Sequence, residues 1–507
     1  MKTVRYFCYF LFLLAIAFIA YYRVLQFTFY LDDWGFFWNA LYHPQTLFFT
    51  FLQWGATLEF FVLSKLFGDH VVLWQLFGIV LRAVAAYAVG LMVATVTRVR
   101  RAGILAGVFF ACLSVGIQSV SWISAHVVDI DVIGVSLTFM LWVTFHRTGL
   151  TKYVWYTLGA LLFALALDPF RVFPLIVILG MYSLVNQFKM KKSNVHLIRS
   201  IIGVVCVAAF IITIWERQYI IESAPYTMIF RSPHVFGLTL LLHGARLIGN
   251  YFWSMSNLVF GAFIAPVAPA PHPAYATIPV VVSFVLFLFT LWYSASLWGK
   301  KGNERGLYIL IFTSWMLIFF IPCWIFEPRQ MVEPVHRYLV LPSVGLAALL
   351  GYCIAKIKHI TLVVIAALAI IAVNISSSYR ALTFENMYRS RSLTEQFWKI
   401  INASVPDDET QSIFVYQGEE PVRTWTLELS GSRPFAIKRK ISEASRVPLT
   451  TTDKEQIVRL LCGLKTIPLS HLHVWSVRND GAITDISQEW RNTIRSILVA
   501  RECEFEE

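Results

Sequence analysis

Two adjacent carboxylates, Asp32 and Asp33, stand in the stretch Phe29-Tyr30-Leu31-Asp32-Asp33-Trp34-Gly35-Phe36-Phe37, directly after the first apolar run. Neighbouring carboxylates repel when partly desolvated, so one of them holds its proton more strongly and can serve as a base near neutral pH. The ordinary use of Asp, a solvated turn that caps a helix, would give the same pair. A second acidic group, Asp129-Ile130-Asp131, follows His126 at the start of a later apolar segment. Its carboxylates could hold a hard divalent cation, Mg or Mn, or orient the first pair; they could equally cap a helix start, where the dipole favours Asp. Cations to match are Arg337, flanked by His336 and Tyr338, and Arg231 and Arg246 in a long polar segment. A guanidinium meets phosphate oxygens with two hydrogen bonds and so suits a lipid phosphate. Interfacial snorkelling explains a single arginine better, with Arg337, in its more specific context, as the exception.

The elements that position these residues are membrane helices. Of the 507 residues 57% are hydrophobic and 14% charged, where soluble chains carry about 25% charged residues. Runs of about 20 apolar residues suit spans, and eleven are expected, at 6–27, 71–97, 102–124, 130–146, 153–167, 172–186, 197–215, 278–298, 307–325, 338–355 and 360–377. The formal net charge of +12 sits in short Lys/Arg clusters between the runs, at Arg98 to Arg101, Arg147 with Lys152, Lys189 to Lys192, Lys300 with Lys301, and Lys356 with Lys358. Such clusters mark cytoplasmic loops and argue topology, with no nucleic-acid partner. All fall on one side, so the N-terminus is expected to be cytoplasmic and Asp32 and Asp33 to face outward, together with 124–131, 168–171, 216–277 and 323–338. The first run, with Lys2 and Arg5 before it, could open a cleaved leader; its length and the flank Tyr21-Tyr22 favour a retained helix. Residues 57–67 read as an amphipathic interfacial helix, and 235–265 as an interfacial or re-entrant segment.

From Ser378 the composition turns polar, which predicts a second, extracytoplasmic domain at 378–507 beside a membrane module at 1–377. Alternation over 412–416 and 471–477 reads as strands, and the spacing over 393–403 and 453–464 as helices, giving a small α/β domain. It has no phosphate loop and no metal-ligand spacing, so a structural or acceptor-recruiting role is expected. Cys462 and Cys503 lie in this polar part and could pair if it is oxidised.

The order of features resembles the GT-C superfamily of membrane glycosyltransferases. The resemblance rests on Tyr30-Leu31-Asp32-Asp33-Trp34, on Asp129-Ile130-Asp131, and on His336-Arg337-Tyr338-Leu339-Val340-Leu341-Pro342-Ser343-Val344-Gly345. The last run looks like a stretch of the tetratricopeptide-containing O-mannosyltransferases and their bacterial relatives, although no such repeats follow here. The resemblance implies transfer of a sugar from a polyprenyl-phosphate carrier to an acceptor glycan, lipid or protein outside a bacterial cytoplasmic membrane, with Asp32 as catalytic acid/base residue and Asp33 beside it. In that reading Arg337, His336, Arg231 and Arg246 meet the donor phosphate, while Asp129 and Asp131 leave a metal open. Trp34, Phe36, Trp38 and Trp54 could stack on sugars, though an interfacial belt explains them better. A transporter or lipid flippase is the competing class, and a catalytically inactive scaffold a third. Charges at the outer ends of spans and the lack of matching halves argue against transport.

Overall fold

The computed structural model describes residues 2–45, 54–186, 256, 258, 273–299, 304–326, 334–406, 411–464 and 467–506. Within them the first part is helical: α1 (Lys2–Tyr21), α2 (Asp32–Tyr42), α3 (Trp54–Phe67), α4 (Val71–Thr97), α5 (Arg100–Cys112), α6 (Val127–Thr148), α7 (Lys152–Leu167), α8 (Pro174–Asn186), α9 (Pro273–Gly299), α10 (Glu304–Phe326), α11 (Val340–Ala355) and α12 (Ile360–Arg389). Among the described residues six helical stretches are long and apolar enough to cross a membrane: Val4–Gln26, Val71–Thr97, Ile123–Thr148, Glu304–Ile321, Arg337–Ala355 and Ile360–Arg389. Three shorter apolar helices, Lys152–Leu167, Pro169–Leu184 and Val281–Leu297, match further expected spans. The expected span at 197–215 and the segment 235–265 lie outside the described residues.

The span expected at 102–124 is a shorter helix, because α5 stops at Cys112. Its continuation is taken over by tertiary partners. The Leu113 carbonyl accepts from the Tyr21 hydroxyl at 2.6 Å, and the Ser114 amide donates to Asn374 Oδ1 at 3.0 Å. Gly116 then turns at φ +75° against Val340, where a Cβ would lie 2.5 Å from Cγ2. Once the backbone groups have these partners, nothing requires the helical ladder to go on. The bundle packs through small residues in the same way: Gly103 on α5 faces the Gly90 carbonyl of α4, and Gly351 on α11 faces Ala106. Close backbone approach of this kind is how apolar helices gain contact inside a membrane.

At 30 residues, α12 is about 45 Å long, against a hydrocarbon core of about 30 Å. It therefore runs unbroken through the boundary expected at 377. Beyond it come α13 (Arg391–Ser404), β1 (Ile413–Gly418), α14 (Arg433–Lys438), β2 (Leu449–Thr450), α15 (Lys454–Leu464), β3 (Leu472–Val477), β4 (Ile483–Asp485) and α16 (Ser487–Ala500). The sheet order is β2-β1-β3-β4, with β1 parallel to β2 and to β3, and β4 antiparallel on the edge. One face of β1 and β3, Ile413, Val415, Leu472 and Val474, packs on α15 and α16; the other, Phe414, Tyr416 and Trp475, packs on Phe397, Trp398 and Phe435. This is the α/β layer that the alternating strands predict, and Cys462 and Cys503 are disulfide-bonded within it.

Candidate active site

The loop between α1 and α2 is built around Asp33. Its Oδ2 accepts from the Tyr30 amide at 2.9 Å and its Oδ1 from the Ser124 amide at 2.8 Å. The side chain is wholly buried. Burial pushes its pKa up to about 7, held back by those two N–H donors. Both oxygens of Asp33 are thus occupied in joining the first loop to the segment 118–125.

Asp32 differs in every respect. It opens α2 and keeps an exposed carboxylate. Surrounding protein mass still raises its pKa, and the nearby Arg337 charge works in the opposite direction. Leu31 directly before it sits at φ 48°, ψ −116°, a conformation that a non-glycine residue adopts only when its surroundings impose it. The side chain of Asp32 therefore leaves a turn whose direction is set by its neighbours.

Arg337 is positioned by the same segment as Asp33. The Gly116 amide donates to Pro334 O at 2.8 Å, the Gln118 amide to Val335 O at 3.0 Å, and the Arg337 amide to Gln118 Oε1 at 3.3 Å. Its guanidinium lies over the Trp122 ring, 4.0 Å from the centroid, a stacking that keeps a cation in place. His336 Nδ1 accepts from the Tyr338 amide at 3.3 Å. Burial and the charges of Arg337 and Arg171 push its pKa down to about 3, so the ring is a neutral cap and brings no positive charge. Arg231 and Arg246 lie outside the described residues.

The second acidic group meets arginines. Asp129 lies 3.2 Å from Arg82 Nη1, with Ser119 donating to its other oxygen at 3.2 Å. Asp131 is 4.0 Å from Arg171, which is bound more closely by Asp168 at 2.6 Å. His126 Nδ1 is paired with Glu59 at 2.9 Å. Asp129 thus has an arginine of its own, whereas Asp131 shares Arg171 with Asp168 and neither of its oxygens accepts a hydrogen bond; among the described residues no three His, Cys, Asp or Glu side chains are grouped to hold a metal ion. Of the candidate aromatics, Phe36 and Trp38 are core residues, with Trp38 Nε1 donating to Ile441 O at 2.9 Å, and Trp34 packs edge-on to Phe29. Trp54 is exposed.

Sequence reading passed over Trp122, Gln118 and Arg82. A tryptophan beside a later arginine has no spacing signal, and Arg82 hides as a single charge in an apolar run.

No family model matches the chain, and no curated protein does. Among solved structures it is similar to the oligosaccharyltransferase AglB of Archaeoglobus fulgidus in complex with an inhibitory peptide and a dolichol-phosphate, with TM-score 0.50 and 12% identity, over 94% of this chain and 70% of that one. It is also similar to the oligosaccharyltransferase of the same organism tethered to an acceptor peptide with the NVT sequon (TM-score 0.49, 13% identity, 89% and 64% covered) and to its apo form (0.46, 12%, 93% and 69%). At such identity it is the architecture alone that is shared: the chain has the fold of that archaeal oligosaccharyltransferase.

Proposed function

We propose that this protein is an inverting glycosyltransferase of the membrane that moves a sugar from a polyprenyl-phosphate carrier to an acceptor hydroxyl on the extracytoplasmic side. The observation that carries the reading is the division of labour in the acidic pair: Asp33 is consumed by two backbone amides, while Asp32 is exposed and faces the Arg337 charge. The archaeal enzyme of the same fold was solved with a dolichol-phosphate, which supports a donor on a polyprenyl chain.

In this mechanism Asp32 takes the proton of the acceptor hydroxyl as its oxygen bonds to the anomeric carbon. The bond from that carbon to the phosphate oxygen breaks, and the carrier phosphate leaves with the electron pair. Arg337, fixed on Trp122, meets the charge that grows on the leaving oxygen. A phosphate ester is already a good leaving group, so positioning supplies most of what remains. No step passes through a metal ion. The Cys462–Cys503 disulfide supports an oxidising compartment for the C-terminal part, and hence its placement outside a cytoplasmic membrane.

The test is release of undecaprenyl phosphate from a panel of undecaprenyl-phosphate hexoses by the purified full chain, with mixed glycans, lipids and peptides as acceptors. Turnover in the wild type and its loss in Asp32→Asn is the expected result. Equal turnover in both would remove Asp32 from the chemistry, and no binding of any donor would reject the class.

A further inference from the structure

The last residue of α12, Arg389, is 2% exposed and lies between the two loops that form the site. Its guanidinium carbon sits 4.1 Å from the centre of the Tyr30 ring and 5.0 Å from that of Phe27. Nη1 donates to Glu385 Oε2 at 2.5 Å and to Ser121 Oγ at 3.2 Å, and Nη2 donates to the Ser121 carbonyl. Its backbone takes part as well. The Thr28 amide donates to the Arg389 carbonyl at 3.2 Å, and Phe27 and Ser390 form an isolated antiparallel bridge. The end of one membrane helix thereby grips the loop before Asp32 through main chain and side chain, and grips the 118–125 segment through Ser121.

We propose that Arg389 is a positioning residue that holds the Tyr30–Asp33 turn in the conformation that aims Asp32, a role that rests on reading Asp32 as the base. The physical argument is mechanical. Leu31 has left-handed φ, a strained state that persists only under external constraint. Two constraints flank it: Asp33, bound to Ser124, on one side, and Tyr30, under the Arg389 guanidinium, on the other. The Asp33 carboxylate already ties the Tyr30 and Ser124 amides together through the main chain, and what Arg389 adds is a hold on the Tyr30 ring itself, which those main-chain bonds do not orient. A planar guanidinium can stack on a ring and still donate along its edge to Ser121 and Glu385, which an ammonium cannot. Arg389 touches no reacting atom in this scheme; it acts through Tyr30.

The experiment compares the full-length wild type with Arg389→Lys and with the double variant Glu385→Gln/Arg389→Met, which leaves no unpaired buried charge. Hydrogen exchange of the detergent-solubilised protein gives the first readout. Peptides covering 27–34 are expected to exchange at least tenfold faster in both variants, while α4 and β1 keep wild-type protection. Turnover of the undecaprenyl-phosphate hexose gives the second: kcat falls at least tenfold with donor KM within twofold of wild type, and Arg389→Lys restores only part of it. Unchanged exchange over 27–34 in folded variants overturns the proposal, as does a loss confined to KM. If the wild type turns over no donor, the glycosyltransferase reading has failed, and the exchange data still decide whether Arg389 holds the turn.

Discussion

The Ser124 amide donates to Oδ1 of Asp33 at 2.8 Å, joining two loops 91 residues apart in sequence. That bond, with the one from Tyr30 to Oδ2, separates the roles of two residues that look alike in the chain. Asp33→Asn keeps one acceptor and turns an amide group toward the other N–H, so a buried donor loses its partner at a cost of about 1–3 kcal/mol. A lower melting temperature with reduced but measurable turnover is expected. Asp32→Asn removes no structural bond, so melting should stay within experimental error of wild type while turnover drops by about 10²–10⁴-fold, the usual worth of a general base. A thermal-shift series beside the turnover assay checks both.

The pH profile follows from the same geometry. A base works deprotonated, and the pKa of Asp32 lies above the ordinary carboxylate value. Activity is therefore lost as pH falls through that raised pKa, and the acid limb should lie above the range of an exposed aspartate. Arg337 favours the charged form of Asp32. Replacing it by Gln should thus move the acid limb to still higher pH, in addition to raising the donor KM. An acid limb that stays put in Arg337→Gln would separate the two residues electrostatically.

Much of this arrangement was legible in the sequence because it rests on local signals. Apolar runs of spanning length gave most of the bundle, alternation at 412–416 and 471–477 gave two of the four strands, and the Asp32-Asp33 and Arg337 contexts drew notice by residue type. What escaped was set by contacts distant in sequence. The end of α5 at Cys112 depends on Tyr21 and Asn374, and the partner of Asp129 is Arg82, 47 positions earlier in an apolar helix. Glu59 reads as part of the polar face of a surface helix, yet it is buried against His126. No window along the chain contains both partners of such pairs.

The pairing of Asp129 with Arg82 carries its own expectation. Removing one member of a buried pair leaves the other charge without compensation, at about 3–5 kcal/mol, whereas an apolar replacement of both is often tolerated. Asp129→Leu should therefore unfold or fail to accumulate, and Arg82→Met/Asp129→Leu should recover a monodisperse protein. Turnover with and without EDTA decides whether Asp129 and Asp131 serve a cation: with Asp129 paired to Arg82 and Arg171 beside Asp131, donor turnover within twofold of the untreated enzyme is expected. A chelator-sensitive activity restored by Mn or Mg would show that a cation displaces one of the arginines.

The disulfide between Cys462 and Cys503 closes a loop of 41 residues beneath the sheet, tying the end of α15 to the chain after α16. Removing a native disulfide from a small domain costs about 2–5 kcal/mol. Cys503→Ser should accordingly lower the melting of the C-terminal part, seen as easier proteolysis within 411–506, while the helical bundle stays protected. The same bond reports sidedness, since it persists in an oxidising compartment and not among cytoplasmic thiols. In intact cells, Cys462 and Cys503 should resist maleimide unless reductant is added first, whereas Cys8 and Cys353, which are exposed and unpaired, need only a membrane-permeant reagent. Labelling of Cys462 without reductant, by a permeant reagent alone, would put this part of the chain on the cytoplasmic side and remove the extracytoplasmic acceptor from the proposal.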